Sequence, residues 1–254
     1  MQDLQHGIDP VRFARDCLGI SLDPWQVQVL QSSNKRQLLN CSRQSGKSTT
    51  AAIMAIHMAI YRPPALVLLV SPSLRQSGEL FRTVMGYFGQ LPHKPASIEE
   101  NRLSLRLANG SRIVSLPGTE QTIRGFSGAS LIVEDEAARV PDDLYYAVRP
   151  MLAVSGGRLI LMSTPFGKRG HFFEAWAHMR EWEKVMIPAT QCSRISPAFL
   201  DEERAALGEW FFRQEYLCEF VETGDSVFPY AFIHAAVSDD VKPLFPVRSA
   251  GRQG

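Results

Sequence analysis

Two runs of consecutive apolar residues, Ala65-Leu-Val-Leu-Leu-Val-Ser71 and Leu159-Ile-Leu-Met-Ser163, constrain this chain more than any other feature. A strand with one wet face alternates apolar and polar side chains. A strand that is apolar position after position is covered on both faces, as in a parallel sheet packed between helices. Arg36-Gln-Leu-Leu-Asn-Cys41 and Leu131-Ile-Val133 are shorter runs of the same kind, and a further strand is expected near residues 184–187. Helical segments separate them: residues 51–61, stopped by Pro63-Pro64, then 72–91, 142–149, 171–180 and a charged stretch over 197–216. Strands alternating with helices in this way predict a doubly wound α/β fold with a mainly parallel central sheet.

Two local signals refine that picture. Asn109-Gly110 between the apolar segments 103–107 and 112–116 predicts a β-hairpin insertion. Asp9-Pro10 is a helix start, with Asp as cap and Pro at the first helical position, and Leu22-Asp-Pro-Trp-Gln26 opens a second short helix. We therefore expect a helical N-terminal segment over residues 1–30, a core over 31–222, and a linker or tail over 223–254.

The 254 residues are 45% hydrophobic and 21% charged, a composition that excludes disorder and supplies a sizeable core. With 27 basic and 26 acidic residues the net charge of +1 says nothing about partners. Of the basic residues 21 are Arg and 6 are Lys, which suits bidentate phosphate recognition and equally fits a bias in base composition. The 4 cysteines, Cys17, Cys41, Cys192 and Cys218, have no metal-type spacing and read as free thiols. Neither a signal peptide nor a bilayer-length apolar run is present, so a cytoplasmic protein with no membrane partner is expected.

The first chemical motif lies where the strand 36–41 gives way to Ser42-Arg43-Gln44-Ser45-Gly46-Lys47-Ser48-Thr49 and then to a helix. Backbone N–H groups at such a helix start point at phosphates, and the helix dipole favours their charge. Lys47 would reach the β- and γ-phosphates of a nucleotide and Ser48 would hold Mg²⁺. The usual pattern places Gly where Cys41 stands, so this is a variant loop, and a Gly-Lys-Ser turn capping an ordinary helix is the plain alternative. Arg43, inside the loop, is a candidate for touching nucleotide or bracing the loop.

The strand 131–133 ends in Glu134-Asp135-Glu136. An Asp at such a strand tip orients Mg²⁺, and a following Glu can polarise the attacking water. This gives Asp135 to the metal and Glu136 to general-base work, while a register shifted by one would use Glu134 and Asp135 instead. Small residues Ala137-Ala138 favour the first assignment. Ser163-Thr164-Pro165 tips the next strand and could report whether the γ-phosphate is present; a turn without chemistry is the alternative. Arg124, in a Gly- and Ser-rich loop 11 positions before Asp135, is a candidate arginine finger or a surface charge.

Taken in order, these motifs resemble the ATPase domain of the large terminase subunit of tailed bacteriophages and prophages. The resemblance rests on Ser42 to Thr49 with its missing first Gly, Arg124-Gly125, Leu131 to Ala137, and Ser163-Thr164-Pro165 followed by Gly167 and Gly170. Upstream, Asp23-Pro24-Trp25-Gln26 is similar to the segment whose Gln reads adenine. Downstream, Phe212 to Phe220 is similar to the stretch that closes the domain. The likeness spans residues 8 to 235.

It implies a RecA-like P-loop fold, ATP and Mg²⁺ as cofactors, and ATP hydrolysis that drives double-stranded DNA into a procapsid. It implies a homo-oligomeric ring, monomeric in dilute solution, with the portal protein and the small terminase subunit as partners, in the cytoplasm of an infected or lysogenic bacterial cell. It further implies that Arg124 acts in trans on a neighbouring subunit's ATP. Large terminase subunits also carry a nuclease domain. The residues after Thr223 are too few for one, so no nuclease activity is expected of this chain. A helicase-like DNA-dependent ATPase is the second reading, disfavoured by a single RecA-like lobe. A non-hydrolysing assembly module is the third, disfavoured by Glu136.

Overall fold

The computed structural model describes residues 2–117 and 125–222. Up to Val221 they form one compact unit. Three short helices come first: α1 (Gln2–Ile8), α2 (Pro10–Leu18) and α3 (Pro24–Gln31). Asp9 caps α2 as its sequence suggests, Oδ1 accepting from the N–H of Val11 at 2.9 Å. At α3 the capping box is reciprocal, with the Asp23 N–H donating to Gln26 Oε1 at 2.9 Å.

The alternation comes next: β1 (Arg36–Cys41), α4 (Lys47–Tyr61), β2 (Leu66–Ser71), α5 (Leu74–Gln90), β3 (Ser97–Glu100), β4 (Ser104–Leu107) and β5 (Arg112–Pro117). Then come β6 (Leu131–Asp135), α6 (Asp142–Val148), β7 (Arg158–Ser163), α7 (Gly170–His178), β8 (Glu183–Ile187) and α8 (Pro197–Glu215). Gly208, at φ 77°, kinks α8, so the charged stretch read from sequence is two helical pieces. The eight strands lie in the order β3-β4-β5-β2-β6-β7-β1-β8, parallel from β5 through β8.

The unbroken apolar runs are buried on both faces as expected. In β2, Val67 and Leu69 join a cluster with α4 and α5, whereas Leu68 and Val70 join a second cluster with α6 and α7. The β4–β5 hairpin turns at Asn109-Gly110, where Gly110 takes φ 88°. It does not stand apart from the sheet, because β5 pairs with β2 from Leu66↔Arg112 to Ser71↔Pro117. Two elements left no clear sequence signal, α1 and the four-residue β3, whose positions are all exposed.

The strand order gathers the chemical motifs. β7 lies between β1 and β6, so the ends of these strands, at Cys41, Ser163 and Asp135, sit side by side. In a parallel sheet the C-terminal strand ends share one rim, and helix N-termini open toward it. Residues 118–124, which include Arg124, and 223–254 lie outside the described residues. Among the described residues no helix is long and apolar enough to cross a membrane.

Candidate active site

The loop from Ser42 to Gly46 joins the end of β1 to the start of α4, and its conformation needs particular residues. Gln44 has φ 59° and Gly46 φ 97°, both left-handed. A Cβ on Gly46 would lie 3.2 Å from both Arg194 Nη2 and Gln26 Nε2, so glycine satisfies backbone and space together. Two side chains hold the loop from outside. Arg194 donates to Ser45 O at 2.9 Å and pairs with Asp23 at 2.9 Å. Gln26, only 3% exposed, donates to Thr50 Oγ1 at 2.9 Å and to Gly46 O at 3.4 Å.

Above this loop is a cavity of about 620 Å³. Arg43, Gln44, Ser45, Gly46, Lys47, Ser48 and Thr49 form one wall, and Glu136 and Thr164 come from the tips of β6 and β7. The N-terminus of α4 lies on this wall, and among the described residues no side chain caps it, which makes it a ready anion site. Gln76, Arg139 and Arg194 complete the lining and were not picked out by the sequence motifs. Ser42 and Asp135 are buried just beneath the wall, as is Ser163, whose Oγ donates to Thr164 O at 2.7 Å. Gln26 and Pro165 are not among the lining residues.

At the tip of β6 the chain turns through Glu136, a non-glycine residue at φ 53° and ψ 39°. Such a conformation costs roughly 1–3 kcal/mol and recurs at functional sites. Its N–H donates to Asp135 Oδ1 at 3.0 Å, which steadies the turn. The turn brings Glu136 Oε1 to 2.7 Å from Lys47 Nζ and Oε2 to 3.1 Å from Arg139. Ser163 Oγ approaches Oε2 at 3.4 Å.

These neighbours set the protonation states. Burial pushes Glu136 up, but Lys47 and then Arg139 outweigh it and hold the carboxyl below the ordinary value. Burial lowers the Lys47 ammonium, yet Glu136 and Asp135 more than compensate and keep it above the usual lysine value. Asp135 is different: burial raises it to about 6 despite Lys47.

Arg139 is a hub. Besides Glu136 it donates to Thr164 Oγ1 at 3.3 Å and pairs with Glu215 at 3.4 Å, and its guanidinium lies 4.7 Å from the Phe166 ring centroid. Glu215, at the end of α8, pairs in turn with Arg43 at 2.5 Å. The loop, the tips of β6 and β7 and the end of α8 are thus one polar network around the cavity. Of the residues in the shifted alternative for the acidic pair, Glu134 is not in the cavity lining. Glu134 points to the opposite face of the sheet, where it accepts from His171 Nε2 at 2.6 Å. The four cysteines are free thiols, three of them buried.

A family model for the N-terminal part of T4-like terminase large subunits matches residues 38–234. The terminase large subunit of Thermus phage G20c is 28% identical over 249 residues, covering 84% of this chain. The chain spans 51% of that relative, and the same share of the one from Thermus virus P23-45. A single-site variant of the large terminase ATPase domain of Thermus phage P74-26 superposes with a TM-score of 0.73 at 23% identity, over 82% of this chain and 97% of that one. The large terminase of a thermophilic bacteriophage, solved in complex with ADP, gives 0.63 at 13% identity, over 79% of this chain and 54% of that one. These structural likenesses establish a shared RecA-like α/β fold.

Proposed function

Because the chain belongs to the family of T4-like terminase large subunits, of which it matches the N-terminal part, we propose that it is a Mg²⁺-dependent ATPase that powers the packaging of double-stranded DNA. One observation carries this reading: Lys47, Glu136 and the N-terminus of α4 converge on a single cavity. Loop amides and a lysine cradle phosphates, and a carboxylate held ionised is a base for water. Phosphoryl transfer needs mainly such positioning and charge stabilisation. The likeness of fold to a terminase that binds ADP supports a nucleotide as the occupant.

The residues present fit Mg²⁺. Asp135 is a buried carboxylate whose pKa burial raises despite Lys47 nearby, so a cation would favour its ionised form, and Ser48 offers a second hard oxygen at the cavity wall. When bound there, the ion would neutralise charge on the phosphate oxygens. Lys47 then holds the outer phosphates, Arg43 flanks them, and Glu136 orients the attacking water and takes up its proton. Gln26 is assigned to the adenine side of the loop. Thr164 and Ser163, which touch Arg139 and Glu136 respectively, transmit the loss of phosphate to β7 and Pro165. Arg124 is proposed to complete the site of a neighbouring subunit.

In this reading residues 31–222 are the motor core and 1–30 its helical lead. The partners are double-stranded DNA, the portal protein, the small terminase subunit and further copies of the chain in a ring, in the bacterial cytoplasm. Phosphate release from ATP, followed with and without Mg²⁺ in the wild type and in Lys47→Ala, tests the chemistry. Release that needs both the ion and Lys47 is expected; release indifferent to either would overturn the assignment.

A further inference from the structure

The tip of β6 carries three consecutive carboxylates, and the register of the strand decides which of them faces the cavity. Side chains alternate across a strand. Leu131 and Val133 pack on the α4 side and Ile132 on the other. Asp135 therefore follows Val133 toward Lys47, and Glu134 follows Ile132 into the apolar layer beneath α6 and α7. A slip of one residue would exchange them and put Glu134 beside Lys47.

The back-face position is an unfavourable place for a carboxylate. Glu134 is fully buried, and its Oε2 has no hydrogen-bond partner among the described residues. Its other oxygen meets His171 Nε2 at 2.6 Å. His171 is itself held on every side. Its Nδ1 and its backbone N–H both reach Asp142 Oδ1, at 2.9 and 2.8 Å, and its ring stacks on Tyr145 with centroids 4.4 Å apart. With carboxylates at both ring nitrogens, the imidazole is set to donate on both sides. His171 also stands in the first turn of α7, directly after the segment that begins at Ser163.

We propose that His171 is a positioning residue: by holding Glu134 on the back face of the sheet, it fixes the register that turns Asp135 and Glu136 to the phosphate cavity. It touches no nucleotide and acts only through β6. The proposal rests on the ATPase reading of that cavity.

The test uses three chains: wild type, His171→Leu, and His171→Leu combined with Glu134→Leu. The double variant keeps the position apolar, so it removes the competing carboxylate without leaving a buried charge unpaired. ATP turnover and affinity for a fluorescent non-hydrolysable ATP analogue are measured for each. His171→Leu is expected to lose about tenfold or more in kcat while analogue affinity stays within about threefold. The double variant is expected to recover most of the lost turnover. Unchanged turnover in His171→Leu would overturn the proposal, as would a parallel loss of affinity, which marks general damage to the fold. A double variant as slow as the single one would also overturn it. The ATPase reading fails by a different signature, equal turnover in the wild type and Glu136→Gln.

Discussion

Lys47 Nζ lies 2.7 Å from Glu136 Oε1, so the cation at the start of α4 and the carboxylate at the tip of β6 neutralise each other across the cavity. Both side chains are largely buried, at 14% and 18% exposure, and neither can take up its proposed role while fully engaged by the other. In the proposed role, a bound phosphate anion would compete with Glu136 for Lys47. Glu136 keeps Arg139 as a second partner, so freeing Lys47 does not strand a bare carboxylate. Removing Lys47 should therefore be felt in binding. Lys47→Ala is expected to weaken the affinity for ATP by about 10- to 150-fold, the loss of a charge-assisted contact of about 1.5–3 kcal/mol. Titration with a fluorescent ATP analogue checks this, and unchanged affinity would contradict it.

Arg139 ties Glu136 to Thr164 and Glu215 and stacks on Phe166. Its loss should disturb the orientation of Glu136, the proposed base, more than the proposed hold on phosphate. Arg139→Ala is expected to lower kcat about tenfold with little change in KM. Arg139→Lys should not restore it, since one ammonium cannot reproduce a planar fork with several partners. Steady-state ATPase kinetics of the two variants decide the point, and full rescue by lysine would refute it.

Gln26 is proposed to face the adenine side, yet its amide is occupied at both ends, by Asp23 N–H and by Thr50 Oγ1. Reading a base requires exchanging one of these bonds. Gln26→Ala is expected to reduce the preference for ATP over GTP. Competition of the two nucleotides for the fluorescent analogue measures that preference. An equal loss for both would leave Gln26 as a brace of the loop and contradict the assignment.

His171 gives the fold a pH dependence of its own. Burial alone would lower its pKa, but Glu134 from β6 and Asp142 from α6 outweigh burial and raise it, with Tyr145 stacked on the ring. A group whose folded pKa is raised contributes most below its unfolded value, about 6.5 for histidine, and loses that contribution as pH rises through the folded value. The wild type should therefore lose stability, relative to the Glu134→Leu/His171→Leu double variant, as pH is raised above about 6.5. Urea denaturation of the two across that range measures it. A wild type that gains on the double variant as pH rises would contradict this.

Most of this architecture was legible because the signals were local. Apolar runs in β2 and β7 announced two-faced burial, Asn109-Gly110 announced the hairpin, and Gly46-Lys47-Ser48 after a strand announced the loop. β3 was silent because its four residues are all exposed and bury no alternating face. The hubs of the site were silent for another reason. Arg139, Arg194 and Glu215 act through contacts with elements far away in sequence, such as Arg194 with Ser45 and Glu215 with Arg43. No spacing rule records such pairs. His171 comes soon after the motif Ser163-Thr164-Pro165, but its partner Glu134 became visible only once the pleat of β6 assigned the carboxylates to opposite faces.

Every role proposed around the cavity depends on Glu136 acting as the base of an ATP-hydrolysing site. The decisive measurement is ATP turnover per chain, at several protein concentrations, for wild type and Glu136→Gln. We expect the substitution to reduce turnover by about 100-fold or more, in line with general-base catalysis. We also expect wild-type turnover per chain to rise steeply with concentration, as a trans-acting Arg124 requires. Turnover independent of concentration would remove the trans role of Arg124. Equal turnover in the two proteins would contradict the hydrolase itself.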